Sequence, residues 1–189
     1  MVAAGNPLIT NVPVTGRAME RGELEREIER LHDQSWGWAL ACCARDREAA
    51  ADALQSAYLR ILSGRARFDG RSSIRTWLFG VIRLTALDEA RQTIRRESRT
   101  TGSAAAELVA DPAPGTDALA EQSDESAALL ATLGELSPRQ REALELVFYH
   151  GLTIEEAAQV MHISLGSART HYDRGKKALA SKLAHGAAR

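Results

Sequence analysis

The fold of this chain is decided by residues 151–183, GLTIEEAAQVMHISLGSARTHYDRGKKALASKL. Thr153 and Glu156 have the spacing of a capping box, in which hydroxyl and carboxylate each accept from a free amide at a helix start. A short helix follows, a turn at 161–163 ends it, and Ser164 is placed to cap a second helix. A short helix, a tight turn and a longer basic helix indicate a helix-turn-helix, whose second helix lies in a DNA major groove. The alternative is a pair of ordinary surface helices with a basic end.

The second helix has one polar face and one apolar face. Helical spacing turns Leu165, Ala168, Tyr172 and Leu179 inward. The outward side chains are polar and mostly basic: Arg169, Thr170, Asp173, Arg174, Lys176 and Lys177. This distribution favours DNA binding over a plain surface helix.

Charge is distributed unevenly along the chain, although the formal net charge is only −1. No Lys or Arg lies between Thr100 and Pro138, whereas several Asp and Glu residues do. The Ala, Ser, Gly and Pro content of the same segment is typical of a flexible linker. The near-neutral total therefore conceals two basic blocks and one acidic connector.

Several classes of protein are disfavoured by what the sequence lacks. Cys42 and Cys43 have no neighbouring His or Cys at metal-ligand spacing and are interpreted as buried thiols in a reducing compartment. No apolar run approaches the ~20 residues of a membrane span, and no secretory signal begins the chain. No nucleophile–base pair or phosphate-binding Gly loop stands out. We therefore expect a cytoplasmic protein that is not an enzyme and has no metal, cofactor or small-molecule substrate.

The first half of the chain is predicted to be helical after a loose start. Residues 1–19 lack periodicity and are interpreted as a flexible tail. Asp46 is placed to cap a helix that ends near Gly64. A basic loop, RARFDGRSS, comes next, and Ser72 or Ser73 caps a long Arg-rich helix.

The second half adds the helices that support the helix-turn-helix. Ser137 and Gln140 have the spacing of a second capping box, with Pro138 at the first helical position. That helix is predicted to run through Phe148, end at Gly151 and pack under the helix-turn-helix. No stretch alternates with a period of two for long enough to form a strand. The prediction is an all-α fold of two small helical domains, residues 20–99 and 128–185, joined by an acidic linker at 100–127.

Two separated blocks of the sequence resemble the bacterial sigma factors of the small, extracytoplasmic-function (ECF) type. The first block contains DALQ at 52–55, FDG at 68–70 and SIRTWL at 73–78, and it is similar to region 2 of that family. The second block begins with LSPRQR at 136–141, includes the helix-turn-helix and is similar to region 4. Both blocks stand in the family's order, with a linker where the family has one.

The resemblance implies a dissociable subunit of RNA polymerase that selects promoters. Region 4 of the family reads the −35 element as duplex, which implies base contacts or phosphate contacts for Arg169, Thr170, Asp173, Arg174, Lys176 and Lys177. Region 2 opens the −10 element and reads it as a single strand, which implies nucleic-acid contacts for Phe68, Arg71, Arg75, Trp77 and Arg83. The helix face that binds the core polymerase is implied at Asp52, Gln55 and Leu59.

Some of these assignments have alternatives. Asp173 either accepts from a cytosine amine, orients Arg169 or Arg174, or pairs with Lys177 four residues on. Trp77 is either a platform for an unstacked base or an anchor of the core. The chain also departs from the family at Leu84, where an Asn is common, and at His162, where the turn usually has a smaller residue.

The partners implied by the resemblance are core RNA polymerase, promoter DNA and an anti-sigma factor, which is often membrane-bound. The competing hypothesis is a ligand-responsive transcription factor with a C-terminal helix-turn-helix, in the manner of response regulators. Such a protein is not expected to have an Arg-rich helix with aromatic residues in its N-terminal domain.

Overall fold

The computed structural model describes residues 20–101 and 133–186, with side chains described for 20–96 and 133–182. The predicted tail at 1–19 and almost all of the predicted linker lie outside these residues. Within them the secondary structure is helical throughout, which confirms the all-α prediction. The helices are α1 (Arg21–Arg30), α2 (His32–Cys42), α3 (Arg47–Leu62), α4 (Ile74–Thr101), α5 (Pro138–Leu144), a π-helical turn (Glu145–Tyr149), α6 (Ile154–Met161) and α7 (Leu165–Gly186).

Most helix starts have the caps that the sequence predicts. The Asp46 carboxylate accepts from the amides of Glu48 and Ala49 at the start of α3. At the start of α4, the Ser73 hydroxyl accepts from the amide of Thr76 at 3.1 Å, so Ser73 rather than Ser72 is the cap. These local bonds satisfy amides that have no partner inside their own helix.

The capping box predicted at Ser137 is wrong. Ser137 has the backbone conformation of an N-cap, and Pro138 is at the first helical position, but the Ser137 side chain makes no capping hydrogen bond. The amides of Gln140 and Arg141 donate instead to the Ser137 carbonyl, at 2.9 and 3.0 Å. Because the Ser137 carbonyl already accepts from the Gln140 amide, the Ser137 hydroxyl is not needed for that donor.

The sequence predicts a regular helix from Pro138 through Phe148, but the structure does not have one. The helix changes at Glu145 to a π-helical turn, and the amide of His150 donates to the carbonyl of Glu145, five residues earlier. The wider turn leaves Phe148 63% exposed and buries His150. Gly151, with φ of +63°, then ends the segment in the left-handed conformation that glycine adopts at little cost.

The two halves of the chain pack against each other, although the sequence suggested two domains on a tether. We call residues 20–101 the N-terminal domain and residues 133–186 the C-terminal domain. A single hydrophobic cluster contains residues of both domains, with α6 packed on α4. The largest buried side chains come from both sides of this boundary: Trp38, Phe79, Leu78, Ile82, Leu144, Leu146 and Met161. This shared core fixes one domain on the other.

Candidate nucleic-acid interface

The helix-turn-helix forms as its sequence predicts. Thr153 and Glu156 complete both hydrogen bonds of the capping box at the start of α6. His162 ends α6 in the left-handed conformation, with φ of +54°, a conformation that His adopts more readily than β-branched residues do. The amide of Ser167 donates to the Ser164 hydroxyl at 3.1 Å, which caps the start of α7.

The α7 helix crosses α5 closely because residue 175 is a glycine. A Cβ atom built at Gly175 would lie 3.1 Å from both the Gln140 carbonyl oxygen and Leu144 Cδ1. Ala168 is buried on the same side of α7, and Tyr172 is half-buried. Leu165, expected to face inward, is 39% exposed. The small residues let α7 lie flat on α5, which leaves its opposite side free.

The polar face of α7 is open to solvent. All six side chains assigned to −35 recognition are exposed: Arg169, Thr170, Asp173, Arg174, Lys176 and Lys177. The Thr170 hydroxyl donates to the Gly166 carbonyl at 2.9 Å, and Lys176 Nζ lies 5.7 Å from the centre of the Tyr172 ring. Among the side chains described, Asp173 forms no ion pair with Lys177. Within the described part of the chain, this face therefore presents Arg169 and Arg174 without acidic partners.

The basic loop of the N-terminal domain joins aromatic and basic groups. Phe68 and Trp77 are half-buried, with ring centres 5.4 Å apart and planes inclined by 59°. Trp77 therefore lies at the edge of the core, so both of its predicted roles are compatible with its position. Arg71 is exposed and is paired with Asp69 at 3.2 Å. A surface ion pair of this kind contributes little and is easily exchanged for a phosphate.

Two arginines assigned to the −10 element face the C-terminal domain instead of solvent. Arg83 is 6% exposed. Its guanidinium forms a two-nitrogen ion pair with Glu142 of α5. Arg75 is half-buried, and its Nη1 donates to the backbone carbonyl of His150 at 3.3 Å. In this arrangement neither guanidinium is available to a nucleic-acid strand.

A groove of about 620 Å³ lies between the two domains, beside two of the −10 candidates. Arg71, Trp77 and Val81 line it from the N-terminal domain, and Gln159, His162 and Leu165 from the C-terminal domain. Leu84, the residue at which the chain departs from the family, is 43% exposed and also borders this groove. The described fold thus places Arg71 and Trp77 at a groove that also contacts the turn of the helix-turn-helix, with Arg71 still exposed to solvent.

The candidate polymerase-binding face lies on α3, away from this groove. Asp52 and Gln55 are exposed, and Leu59 is 60% exposed. Leu62, 42% exposed, continues the same face, and the sequence interpretation missed it. The signal was present, because Leu62 is three residues after Leu59 and outside the inward stripe of Leu54, Ala57 and Ile61.

Comparisons with known proteins match both halves of the chain. The family model "Sigma-70 region 2" matches residues 28–99, and "Sigma-70, region 4" matches residues 126–179. The ECF RNA polymerase sigma factor SigX of Bacillus subtilis is 34% identical over 82% of this chain and 83% of its own length. The ECF sigma factor SigC of Mycobacterium tuberculosis is 32% identical over 75% of this chain and 74% of its own length. This chain is an ECF sigma factor.

Membership of this family gives the chain its function. A sigma factor binds core RNA polymerase and directs it to specific promoters. The match to region 2 covers the N-terminal domain, which the hypothesis of a response-regulator-like transcription factor does not explain. That hypothesis is therefore not favoured.

Solved sigma factors have the same fold. RpoE of Bartonella quintana, crystallised with the anti-sigma factor NepR, aligns with a TM-score of 0.66 at 21% identity and covers 84% of this chain and 95% of its own. CnrH, solved with the cytosolic domain of CnrY, aligns with a TM-score of 0.57 at 19% identity over 88% and 90%. The likeness at this identity concerns the fold alone.

The sigma factor also exposes aromatic side chains that the sequence interpretation did not select. Phe148 and Tyr149 are 63% and 76% exposed, and the Phe148 ring stacks on Tyr172 with centres 5.7 Å apart. No local pattern predicted this cluster, because the π-helical turn changes the direction in which residues 145–149 project.

Two thiols of the sigma factor lie side by side near the domain boundary. Cys42 and Cys43 are free and half-buried at the end of α2. Burial, followed by the charge of Glu142, raises the pKa of Cys42 well above its usual range, and burial raises the pKa of Cys43 to about 12. Because the thiolate is the reactive form, these raised pKa values disfavour reaction of either thiol at neutral pH.

Within the described residues, no group of three or more His, Cys, Asp or Glu side chains is placed to hold a metal ion. The same part of the chain has no helix with both the length and the apolar character that crossing a membrane requires.

Proposed function

We propose that α7 reads the −35 element and that the basic loop with the start of α4 reads the −10 element. The single observation that supports the first assignment best is the solvent-facing polar surface of α7, on which Arg169 and Arg174 have no acidic partner among the described side chains. Arginine can donate to guanine O6 and N7 together, so Arg169 and Arg174 are assigned to bases, with Thr170 and Asp173 beside them. Lys176 and Lys177 are assigned to phosphates.

In the N-terminal domain, the proposed −10 site consists of two rings and three guanidinium groups. Phe68 and Trp77 present flat apolar faces on which unpaired bases can stack, and Arg71 lies beside them. Arg75 and Arg83 complete the set after they leave the C-terminal domain. The pocket compensates the few kcal/mol that base unstacking costs.

The proposed core-polymerase contact is the α3 face of Asp52, Gln55 and Leu59, extended by Leu62. An exposed apolar pair with polar neighbours is typical of a surface that binds a protein partner. In this proposal, residues 20–99 and 128–185 act as the two modules, and the acidic linker 100–127 connects them. The chain works in the cytoplasm by binding, without catalysing a reaction.

We also propose an anti-sigma factor as a regulatory partner. Of the two solved structures named above, RpoE was crystallised with the anti-sigma factor NepR, and CnrH was solved with the cytosolic domain of CnrY. Whether that partner is membrane-anchored is decided by its own sequence.

The −35 assignment is tested by competition binding of the full chain with core polymerase to a set of −35 duplexes. Arg174→Ala should weaken binding to the preferred duplex by about 1–3 kcal/mol and relax preference at one base pair. Lys177→Ala is the matched control, and it should weaken all duplexes alike. An Arg174→Ala protein with unchanged affinity and unchanged base preference would remove α7's outer face from the proposal.

A further inference from the structure

His150 lies at the boundary of the two domains and belongs to the C-terminal one. The π-helical turn before it directs its ring into the N-terminal domain, where it meets Trp38 and Phe79. The ring centres are 5.6 and 5.0 Å away, and both contacts are edge-to-face. Gly37 adjoins the ring, since a Cβ built there would lie 3.6 Å from His150 Cε1. The ring of Tyr149, on the histidine's own segment, also lies 5.0 Å away, edge-to-face. The remaining contacts are groups of the N-terminal domain that leave the imidazole only if the domains separate.

The surroundings of His150 suit a neutral ring and not a charged one. Its Nε2 atom is buried without a hydrogen-bond partner among the described residues. From α4, Arg75 donates to the His150 carbonyl; from the α2–α3 loop, Arg45 faces the same region. Glu145, on the histidine's own segment, is already paired with Arg45 at 2.7 Å. The facing groups of α2, Gly37 and Trp38, bring no charge.

We propose that His150 is a pH-sensitive lock between the two domains, and that protonation of its imidazole opens the sigma factor. In the closed form, a protonated ring would have an N–H without an acceptor and two guanidinium groups nearby. After opening, water solvates the charge. Opening also frees Arg75 and Arg83, so the consequence for −10 recognition rests on the function proposed above.

The direction of the effect follows from the difference in proton affinity between the two forms. Burial, followed by the charges of Arg75 and Arg45, lowers the pKa of His150 from its ordinary value of 6.5 to about 4 in the closed form. The open form therefore binds more protons below pH 6.5. Closing is favoured fully above that pH and weakens as the pH falls toward 4. Between pH 7.5 and 5.5 the ratio of open to closed chains should rise about tenfold.

Aromatic rings can stabilise a cation that lies over their faces, and this would oppose the lock. The edge-to-face contacts with Trp38 and Phe79 make this the main competing effect. Two observations weigh against it: the unpartnered Nε2, and the two positive charges with no free carboxylate beside them. If the cation–π contact prevailed, acid would strengthen closure, so the two effects predict opposite signs.

The test measures domain separation in the full chain by single-molecule energy transfer. Dyes are placed on cysteines introduced at the exposed Ser63 and Lys177, with Cys42 and Cys43 replaced by Ala. Glu142→Ala is included to raise the open population into the measurable range. We expect the open-to-closed ratio to rise about tenfold from pH 7.5 to 5.5, at constant helix content by circular dichroism. Adding His150→Phe, which keeps a ring and cannot be protonated, should abolish this rise.

His171→Gln is the matched control, because His171 is half-buried in the same domain but away from the boundary; it should leave the rise intact. His162→Gln, at the edge of the groove, should also leave the rise in the open-to-closed ratio intact. The proposal is overturned if the ratio does not rise with acid, if it falls, or if His150→Phe responds like the parent chain. Opening with acid but without a gain in binding of single-stranded −10 DNA would leave the lock standing and refute the assignment of Arg75 and Arg83.

Discussion

Replacing Glu142 by Ala removes the carboxylate that neutralises Arg83 at the domain boundary. The Arg83 side chain is 7% exposed and that of Glu142 is 16% exposed, so the pair is shielded from water on both sides. Arg139 also donates to Glu142 but is itself largely exposed. In the closed form of the Glu142→Ala protein, Arg83 would keep its charge and lose its only described partner.

The size of the effect on opening depends on which form of the protein contains the uncompensated Arg83 charge. Removing one partner of a buried ion pair costs about 3–5 kcal/mol, since the other charge stays uncompensated. Opening returns Arg83 to water, so the cost applies to the closed form and not to the open one. Because each 1.4 kcal/mol is a factor of ten, the open-to-closed ratio should rise roughly 10²- to 10³-fold or more.

The assay is the same energy-transfer measurement, made at pH 7.5, with two companion variants. Arg139→Ala removes only the exposed partner of Glu142. It should change the free energy of opening by less than about 1 kcal/mol. Replacing both Arg83 and Glu142 by Leu removes both charges and should restore closure, since well-packed apolar residues substitute for buried ion pairs at little cost. A Glu142→Ala chain that stays as closed as the parent would show that the shared apolar core alone holds the domains together. A double Leu variant that opens like the single one would show that packing, and not the unpaired charge, is responsible.

Two further predictions concern the separate domains. Replacing Phe68 and Arg71 with Ala should leave polymerase binding and −35 contact intact but lower open-complex formation by about tenfold or more, because base stacking on an aromatic ring contributes ~1–3 kcal/mol. Permanganate footprinting of −10 thymines measures open-complex formation. Undiminished thymine reactivity would exclude the loop from this role. Gly175→Ala should destabilise the chain by about 1–3 kcal/mol in urea unfolding, because its methyl would press on the Gln140 carbonyl and Leu144 where α7 crosses α5; Gly22→Ala, with open space around its Cβ position, is the control and should cost nothing.

The helix-turn-helix could be predicted from the sequence because its determinants are local. The capping box of Thr153 and Glu156 spans three residues, and Ser164 caps α7 through an amide three residues away. The left-handed turn at His162 likewise depends on one residue and its neighbours. Similarly, the inward stripe of α3 follows from helical spacing alone. Interactions between residues three or four positions apart can be inferred from the sequence alone.

The same reasoning failed where two local solutions compete. Ser137 has the residue type and spacing of a capping box, yet its carbonyl satisfies the amides that its hydroxyl was expected to satisfy. The regular helix predicted through Phe148 changes to a π-helical turn, which turns Phe148 outward and His150 inward. Sequence spacing cannot choose between alternatives that differ by one hydrogen bond.

What the sequence by itself determined is the all-α fold, the helix-turn-helix with its caps, and the family to which the chain belongs. The tertiary structure alone decided that the two domains share a core, and therefore which candidate residues are free. Arg83 and Glu142 are 59 positions apart, and Arg75 and His150 are 75 apart. An arginine on an amphipathic helix has the same pattern whether it faces a DNA strand or a carboxylate of another domain. Only the packing of the C-terminal domain on α4, mainly through α6 and driven by burial of apolar surface distant in sequence, makes Arg83 a partner of Glu142. The same packing leaves Arg174 in solvent.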